Sequence, residues 1–498
     1  MDTNRRIALS SAVQITGKFL AYAVSTVLLI VLSTHLGTSG IGQYTTITTF
    51  VSFFVTIADF GLSAVLVREI AQNPDRKETL TAQFMGLRVA YSLLILALAP
   101  LASSLIPQYR GLITEGVVIA ALAQFILLVN QIFVSVLQTR LRLDKATYAD
   151  ITNRLVTLVF TVVAASFFHT VGGFLIAALW ATTIGSLVNT GLCYAWAKKH
   201  WRIRLSLAYQ EWPAVFLVIL PLGIFNTIGQ IYFKVDTIIL SLLKSSHDVG
   251  IYGYAYNIFA VIFTIPTLFI GVVLPKFSQL WKEDREGLVV FAQKVFSVVS
   301  LIIFPLTAII FVLAPFLTVI LARQSPADGI IAGRVLIILC ASLIPYAFQD
   351  FFQAILFVSN SQVGLIKNLV VASIVNLGLN FLLIPRYGYM AAATVTLISE
   401  IIMLYLTVRL SKRVIQLRLR FNNYGAILTA TVAAAVLLKV GMVLTGLGID
   451  HFASLPLWRQ VVTAGSLGLI GVLIYVGILL LPGKRSPLRE LVESIQSR

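Results

Sequence analysis

Charge and cross-linking chemistry are scarce in this chain. Of its 498 residues only 11% are Asp, Glu, Lys or Arg, against 58% hydrophobic, and the mean hydropathy is +0.93. That balance excludes an ordinary water-soluble globular protein, in which about a quarter of the residues are charged. The only two cysteines, Cys193 and Cys340, each sit inside an apolar block, which leaves neither a disulfide framework nor a metal site, and no cofactor is expected. A phosphate-binding loop is missing too. The nearest fragment, Gly17-Lys18-Phe19, lacks both the first glycine and the hydroxyl residue, which disfavours an ATP-driven pump without a partner. No connection is long enough for a soluble domain, and the ten-residue alternation of a membrane barrel does not occur.

What the chain has instead is apolar blocks of twenty or more residues, the length a helix needs to cross about 30 Å of hydrocarbon. Apolar runs read against Gly, Pro and charge give spans near 9–36, 41–66, 81–105, 115–137, 149–168, 172–196, 212–243, 248–274, 288–321, 330–357, 362–384, 389–408, 424–447 and 459–481. This predicts an all-α integral membrane protein of about 14 transmembrane helices. The first block has no small-residue cleavage signature after it and is read as a retained helix. With both termini cytoplasmic, the inner segments hold 24 cations and the outer loops five, so the positive-inside rule selects that orientation. The same dispersal accounts for most of the net charge of +17 and argues against nucleic-acid binding. The basic connections near 198–211 and 409–423 are expected on the membrane surface.

One internal offset recurs. A shift of 208 residues lays Gly42-Gln43-Tyr44 on Gly250-Ile251-Tyr252 and Leu66-Val67-Arg68 on Leu274-Pro275-Lys276 without a gap. Both units start from the cytoplasmic side, so the repeat is parallel, with its axis along the membrane normal. It divides the chain into an N-lobe of helices one to six (1–200), a C-lobe of helices seven to twelve (201–422) and two appended helices with a short tail (423–498).

A charge at the bilayer centre costs roughly 2.5–3.5 kcal/mol on insertion scales, so each intramembrane ionisable residue is a functional candidate. The cations are Lys18, Arg88, Arg154, Lys234, Lys294, Arg334, Lys367 and Lys439; the acids include Asp59, Asp236, Asp350 and Glu400. Asn226, Gln230 and Lys234 recur every fourth residue and make a polar stripe on the seventh span, and the repeat sets them against Lys18, Tyr22 and Thr26 of the first. Gln124 and Gln131 share a face of the fourth span, and Ser342, Tyr346, Gln349 and Gln353 one of the tenth. This pattern suits two six-helix lobes around a water-filled central cavity. The candidate substrate ligands are therefore Lys18, Arg88, Arg154, Asn226, Gln230, Lys234, Gln124 and Gln131. Each reading has a plainer rival. Lys294, Arg88 and Lys367 can snorkel to the interface; Asp59 and Asp350 can bridge helices; Lys234 and Asp236 can neutralise neighbours; Lys439 can be a contact between lobe and tail. Pro221, Pro266, Pro305, Pro315 and Pro345 permit kinks that serve either rocking or static packing.

The segment Asp248-Val249-Gly250-Ile251-Tyr252-Gly253-Tyr254-Ala255-Tyr256-Asn257 resembles the vGiYxxAxxi signature of oligosaccharide flippases, the Wzx-like polysaccharide transporters. Their superfamily, the multidrug/oligosaccharidyl-lipid/polysaccharide exporters, also holds multidrug and toxin extrusion (MATE) antiporters and lipid II flippases. Similar to the family as well are Leu36-Gly37, Gly40-Ile41-Gly42-Gln43-Tyr44, Ala58-Asp59-Phe60-Gly61-Leu62, Arg68-Glu69 and Ile384-Pro385-Arg386-Tyr387-Gly388-Tyr389-Met390-Ala391-Ala392-Ala393, where Met390 replaces the usual second glycine. The resemblance implies a MATE-like V-shaped pair of lobes. It further implies translocation of an undecaprenyl-pyrophosphate-linked glycan from the cytoplasmic to the periplasmic leaflet of the inner membrane; polymerase and glycosyltransferase machinery are the expected partners, and a monomer is the expected state. A pyrophosphate-sugar head group is anionic and hydroxyl-rich and suits cavity cations beside Gln and Asn. Asp59, Asp236, Asp350 and Glu400 are the candidates to carry a coupling proton or sodium ion. A multidrug cation antiporter would want an acidic cavity, and a membrane glycan polymerase or ligase a larger external loop.

Overall fold

The computed structural model describes residues 3–207, 209–415 and 424–480. All regular structure among them is helical, in the order α1 (Thr3–Asp59), α2 (Leu62–Gln72), α3 (Lys77–Leu105), α4 (Leu112–Thr139), α5 (Leu143–Phe167), α6 (Val171–Ala197), α7 (Trp212–Leu243), α8 (Ser246–Glu283), α9 (Arg285–Leu321), α10 (Pro326–Ala341), α11 (Leu343–Val358), α12 (Gln362–Val414), α13 (Tyr424–Leu444), α14 (Ile449–Ser454) and α15 (Leu457–Leu480). Among the described residues, eleven helical segments are long and apolar enough to cross a membrane.

Two of these segments are each a pair of helices. Gly37 (φ 64°) breaks α1 and Gly388 (φ 55°) breaks α12. Both lie in the left-handed region that a side chain disfavours, so glycine is what lets the helix break there. With these two breaks and with α7, every predicted span has a helical counterpart. The span 330–357 is interrupted at Ser342 and appears as α10 followed by α11. Large apolar side chains such as Leu93, Leu94 and Leu101 of α3 and Val432 and Val436 of α13 are exposed, as helices solvated by acyl chains require.

The chain forms two compact units, Met1–Gly250 and Ile251–Arg498. In the first, α6 packs against α4 and α5, while α1 runs along α3, α4, α5 and α7. So α7, which opens the second copy of the repeat, lies with the first unit. Its core includes Leu62, Leu66, Phe84, Leu87, Ile132 and Val136. In the second unit α9 is the central post, contacted by α10, α11, α13 and α15. Leu301 of α9 meets Ile427, Ala430 and Ala434 of α13 and Tyr475 and Leu479 of α15, so the two appended helices dock on α9. Lys439 of α13 is exposed.

Within the first unit the repeat has a physical counterpart. A Cβ on Gly42 would overlap the carbonyl oxygen of Ser246, and a Cβ on Gly250 would overlap the carbonyl oxygen of Thr38. Gly42 and Gly250 are equivalent under the 208-residue offset, and so are Thr38 and Ser246. The contact is therefore reciprocal, the signature of a local two-fold relation. In hydrocarbon, where helices associate chiefly through close packing, such glycines let backbones touch.

Candidate functional site

Among the described residues, three polar groupings and one buried ion pair stand out inside the apolar helices. The first joins α1 to α7, where Gln230 Nε2 donates to Ser52 Oγ at 2.8 Å and turns the predicted stripe toward α1. Asn226, Gln230 and Lys234 are all half-buried, neither sealed in packing nor turned fully outward. Two residues beyond Lys234, Asp236 is buried, and its Oδ1 accepts from the Thr237 N–H at 2.6 Å and the Thr237 hydroxyl at 3.2 Å.

At the end of α1, Asp59 meets Arg88 of α3. The guanidinium is fully buried, donating through Nη1 to Asp59 Oδ1 at 2.8 Å and through Nη2 to Ser63 Oγ of α2 at 2.7 Å. Arg88 thus does not snorkel. Its charge is neutralised by Asp59 and fastens three successive helices around the break at Phe60 and Gly61, both in positive φ. Arg88 and Asp59, read from sequence as a substrate ligand and an ion carrier, are brought together as each other's partner.

The second grouping lies where the first stretch of α1 passes α5. Arg154 donates to Asp150 Oδ2 at 3.2 Å and to Ser25 Oγ of α1. Lys18, on the same helix as Ser25, is exposed. On α4, Gln124 is half-buried and Gln131 exposed, so the two amides share a helix without sharing an environment.

The third belongs to the second unit. Tyr346 of α11 stacks on Phe263 of α8, ring centroids 3.6 Å apart, and its hydroxyl lies 2.6 Å from Thr267 Oγ1. Asp350 lies one turn along α11 from Tyr346, and its Oδ2 is buried with no hydrogen-bond partner. Glu400 of α12 is buried and lies, like Asp350, within electrostatic reach of Tyr346. Asn376 Nδ2 donates to Ser399 Oγ at 3.0 Å and ties the two halves of α12 beside Glu400, and Asn380 donates to Asn376 at 3.0 Å. Of the four candidate acids, Asp350 and Glu400 thus share one environment, whereas Asp59 is ion-paired and Asp236 is held by its neighbour. Thr267, Asn376 and Asn380 are absent from the sequence-based selection. The i,i+4 spacing of the two asparagines in an apolar helix was the available signal, whereas a lone threonine gives none.

Residues 8–281 match the sequence profile of the family described as "Polysaccharide biosynthesis protein". A protein of Haloferax volcanii described as a probable low-salt glycan biosynthesis flippase, Agl15, is 24% identical over 406 residues, covering 78% of this chain and 80% of that protein. Among solved structures, the lipid II flippase MurJ in an inward closed conformation superposes with a TM-score of 0.73 at 14% identity, over 95% of this chain and 98% of MurJ. An inward-facing multidrug resistance MATE transporter of the MOP superfamily gives a TM-score of 0.65 at 12% identity, over 81% and 98% respectively. The fold is that of the MOP superfamily, in a multi-pass membrane protein.

Proposed function

We propose that this chain, which belongs to the polysaccharide biosynthesis protein family, turns a lipid-linked oligosaccharide over from the cytoplasmic to the outer leaflet of the cell's inner membrane. The observation that carries this reading is the half-buried stripe Asn226, Gln230 and Lys234 on α7, braced on Ser52 of α1. Two amides followed by one cation at helical spacing can replace the hydration of an anionic, hydroxyl-rich head group, while a polyprenyl tail stays in lipid. The flippase description carried by the Haloferax relative agrees with it. The finer assignments are a polyprenyl-pyrophosphate carrier, both termini cytoplasmic, lobes of 1–200 and 201–422 with 423–498 appended, a monomer, and polymerase and glycosyltransferase partners. Lys18, Arg154, Gln124 and Gln131 are secondary ligands in this scheme, and Arg88 is a structural cation.

Moving cargo up a gradient needs an energy source, and Asp350 with Glu400 is the best-placed pair to hold a coupling proton or sodium ion. Glycan analysis of a deletion strain complemented with Lys18→Ala and with Lys234→Ala tests the reading. We expect loss of surface glycan in the deletion strain and poor rescue by Lys234→Ala. Normal glycan in the deletion strain overturns the function, and full rescue by both variants overturns the site.

A second reading has its own support. Two acids beside Tyr346 and Phe263 would also suit an organic cation, as in a multidrug antiporter. Heightened sensitivity of the deletion strain to cationic dyes, with surface glycan unchanged, would favour it.

A further inference from the structure

The connection from α6 to α7 is not loose chain. Trp201 is only 6% exposed, and its Nε1 donates to Thr81 Oγ1 of α3 at 3.2 Å. The N–H of Ser206 donates to the Ala82 carbonyl at 3.2 Å and that of Arg202 to Glu78 Oε1 at 3.4 Å. Gly86 completes the seat, because a Cβ there would overlap the Ser206 carbonyl oxygen. Residues 201–207 therefore lie as a strap across the first turns of α3.

Cations gather on this strap. The Trp201 ring has Lys77 Nζ 5.8 Å and Arg140 Cζ 5.2 Å from its centroid, and Lys145 lies 5.2 Å from the Trp196 ring. His200 is held below its ordinary pKa, first by burial and then by Arg140 and Arg142. Arg142 faces Asp144 at 3.7 Å, while among the described residues Arg140, Lys198, Lys199, Arg202 and Arg204 enter no salt bridge. Beside Arg202 and Arg204, both exposed, Leu205 is 57% and Leu207 60% exposed. Unpaired cations next to outward-turned leucines, between the ends of two membrane helices, fit the boundary where phosphate headgroups meet acyl chains.

We infer that this strap, with Arg140, is a docking surface for the headgroup of an anionic glycerophospholipid: Arg140, Arg202 and Arg204 take the phosphodiester, and Leu205 and Leu207 enter the acyl boundary. The surface is separate from the polar stripe of α7, and it stands whether or not the chain flips a glycan.

The test uses the purified full chain in a neutral detergent, titrated with short-chain phosphatidylglycerol, phosphatidylcholine or inorganic pyrophosphate. Binding is read by native mass spectrometry and by melting temperature. Phosphatidylglycerol should bind at least about ten-fold more tightly than phosphatidylcholine. R202Q/R204Q should weaken phosphatidylglycerol about 25-fold, near five-fold per charge, and leave phosphatidylcholine unchanged. L205S/L207S should weaken the lipid without affecting pyrophosphate. If R202Q/R204Q fails to fold, the wild-type chain decides alone, because phosphatidylglycerol affinity must fall as salt screens the charges. Equal binding of the two lipids, a variant that binds like wild type, or an affinity flat with salt overturns the proposal. So does displacement of phosphatidylglycerol by equimolar pyrophosphate, which would mark a free-phosphate site.

Discussion

Gly42 and Gly250 stand 208 positions apart in sequence and each occupies the place where the other's helix brings up a carbonyl, Ser246 O for the first and Thr38 O for the second. Because the colliding atoms are backbone, a side chain at either position cannot be accommodated by a rotamer change. Gly42→Val and Gly250→Val should each destabilise the protein by about 1–3 kcal/mol, the usual cost of overpacking. The double variant should cost less than the sum, since both residues serve one crossing. Melting midpoints of the four proteins in detergent check this, and strict additivity would contradict a shared contact.

The Arg88 and Asp59 pair makes an asymmetric prediction. Asp59→Asn strands a fully buried guanidinium, whereas Arg88→Met leaves a carboxylate whose side chain is 34% exposed and which water can reach. Asp59→Asn should therefore be the more harmful, by about 2–3 kcal/mol after allowing for that exposure, with the double variant recovering part of the loss. Unfolding midpoints measure the order, and an equal effect of the two single changes would refute it.

If Asp350 and Glu400 hold the coupling ion, Asp350→Asn and Glu400→Gln should each reduce gradient-driven flipping in proteoliposomes by about ten-fold or more. Asp236→Asn should retain most of it. Equal losses for all three would return the acids to a purely structural role.

Cys193 and Cys340 are both free and fully buried. A membrane-permeant maleimide should label neither in the folded chain and both after denaturation. A thiol count by mass spectrometry under the two conditions decides this. Native labelling of Cys193 would contradict the packing of α6 against α4.

The spans were legible because hydrocarbon thickness dictates length and the polar loops punctuate it. Their ends were not. α3 starts at Lys77 and α5 at Leu143, several residues before the apolar blocks begin, because a helix can continue into the headgroup layer on polar residues that hydropathy discounts. The repeat was visible as an alignment of Gly42 with Gly250, but their touching required the fold. So did the partnership of Arg88 with Asp59, 29 residues apart, because sequence reports each buried charge and not what neutralises it. The α7 stripe was legible through its fourfold spacing. Tyr346, Asp350 and Thr267 converge from two helices, a convergence that periodicity along one helix does not encode.

Connections between membrane helices are the usual place to lengthen a chain, since their backbone generally answers to water alone. The one after α6 answers to α3 instead, at Glu78 and Ala82. An epitope or protease site inserted between Trp201 and Ser206 would pull on that fastening and disturb the entry into α7. The same insertion between Gly446 and Gly448, where a Cβ meets nothing, has room.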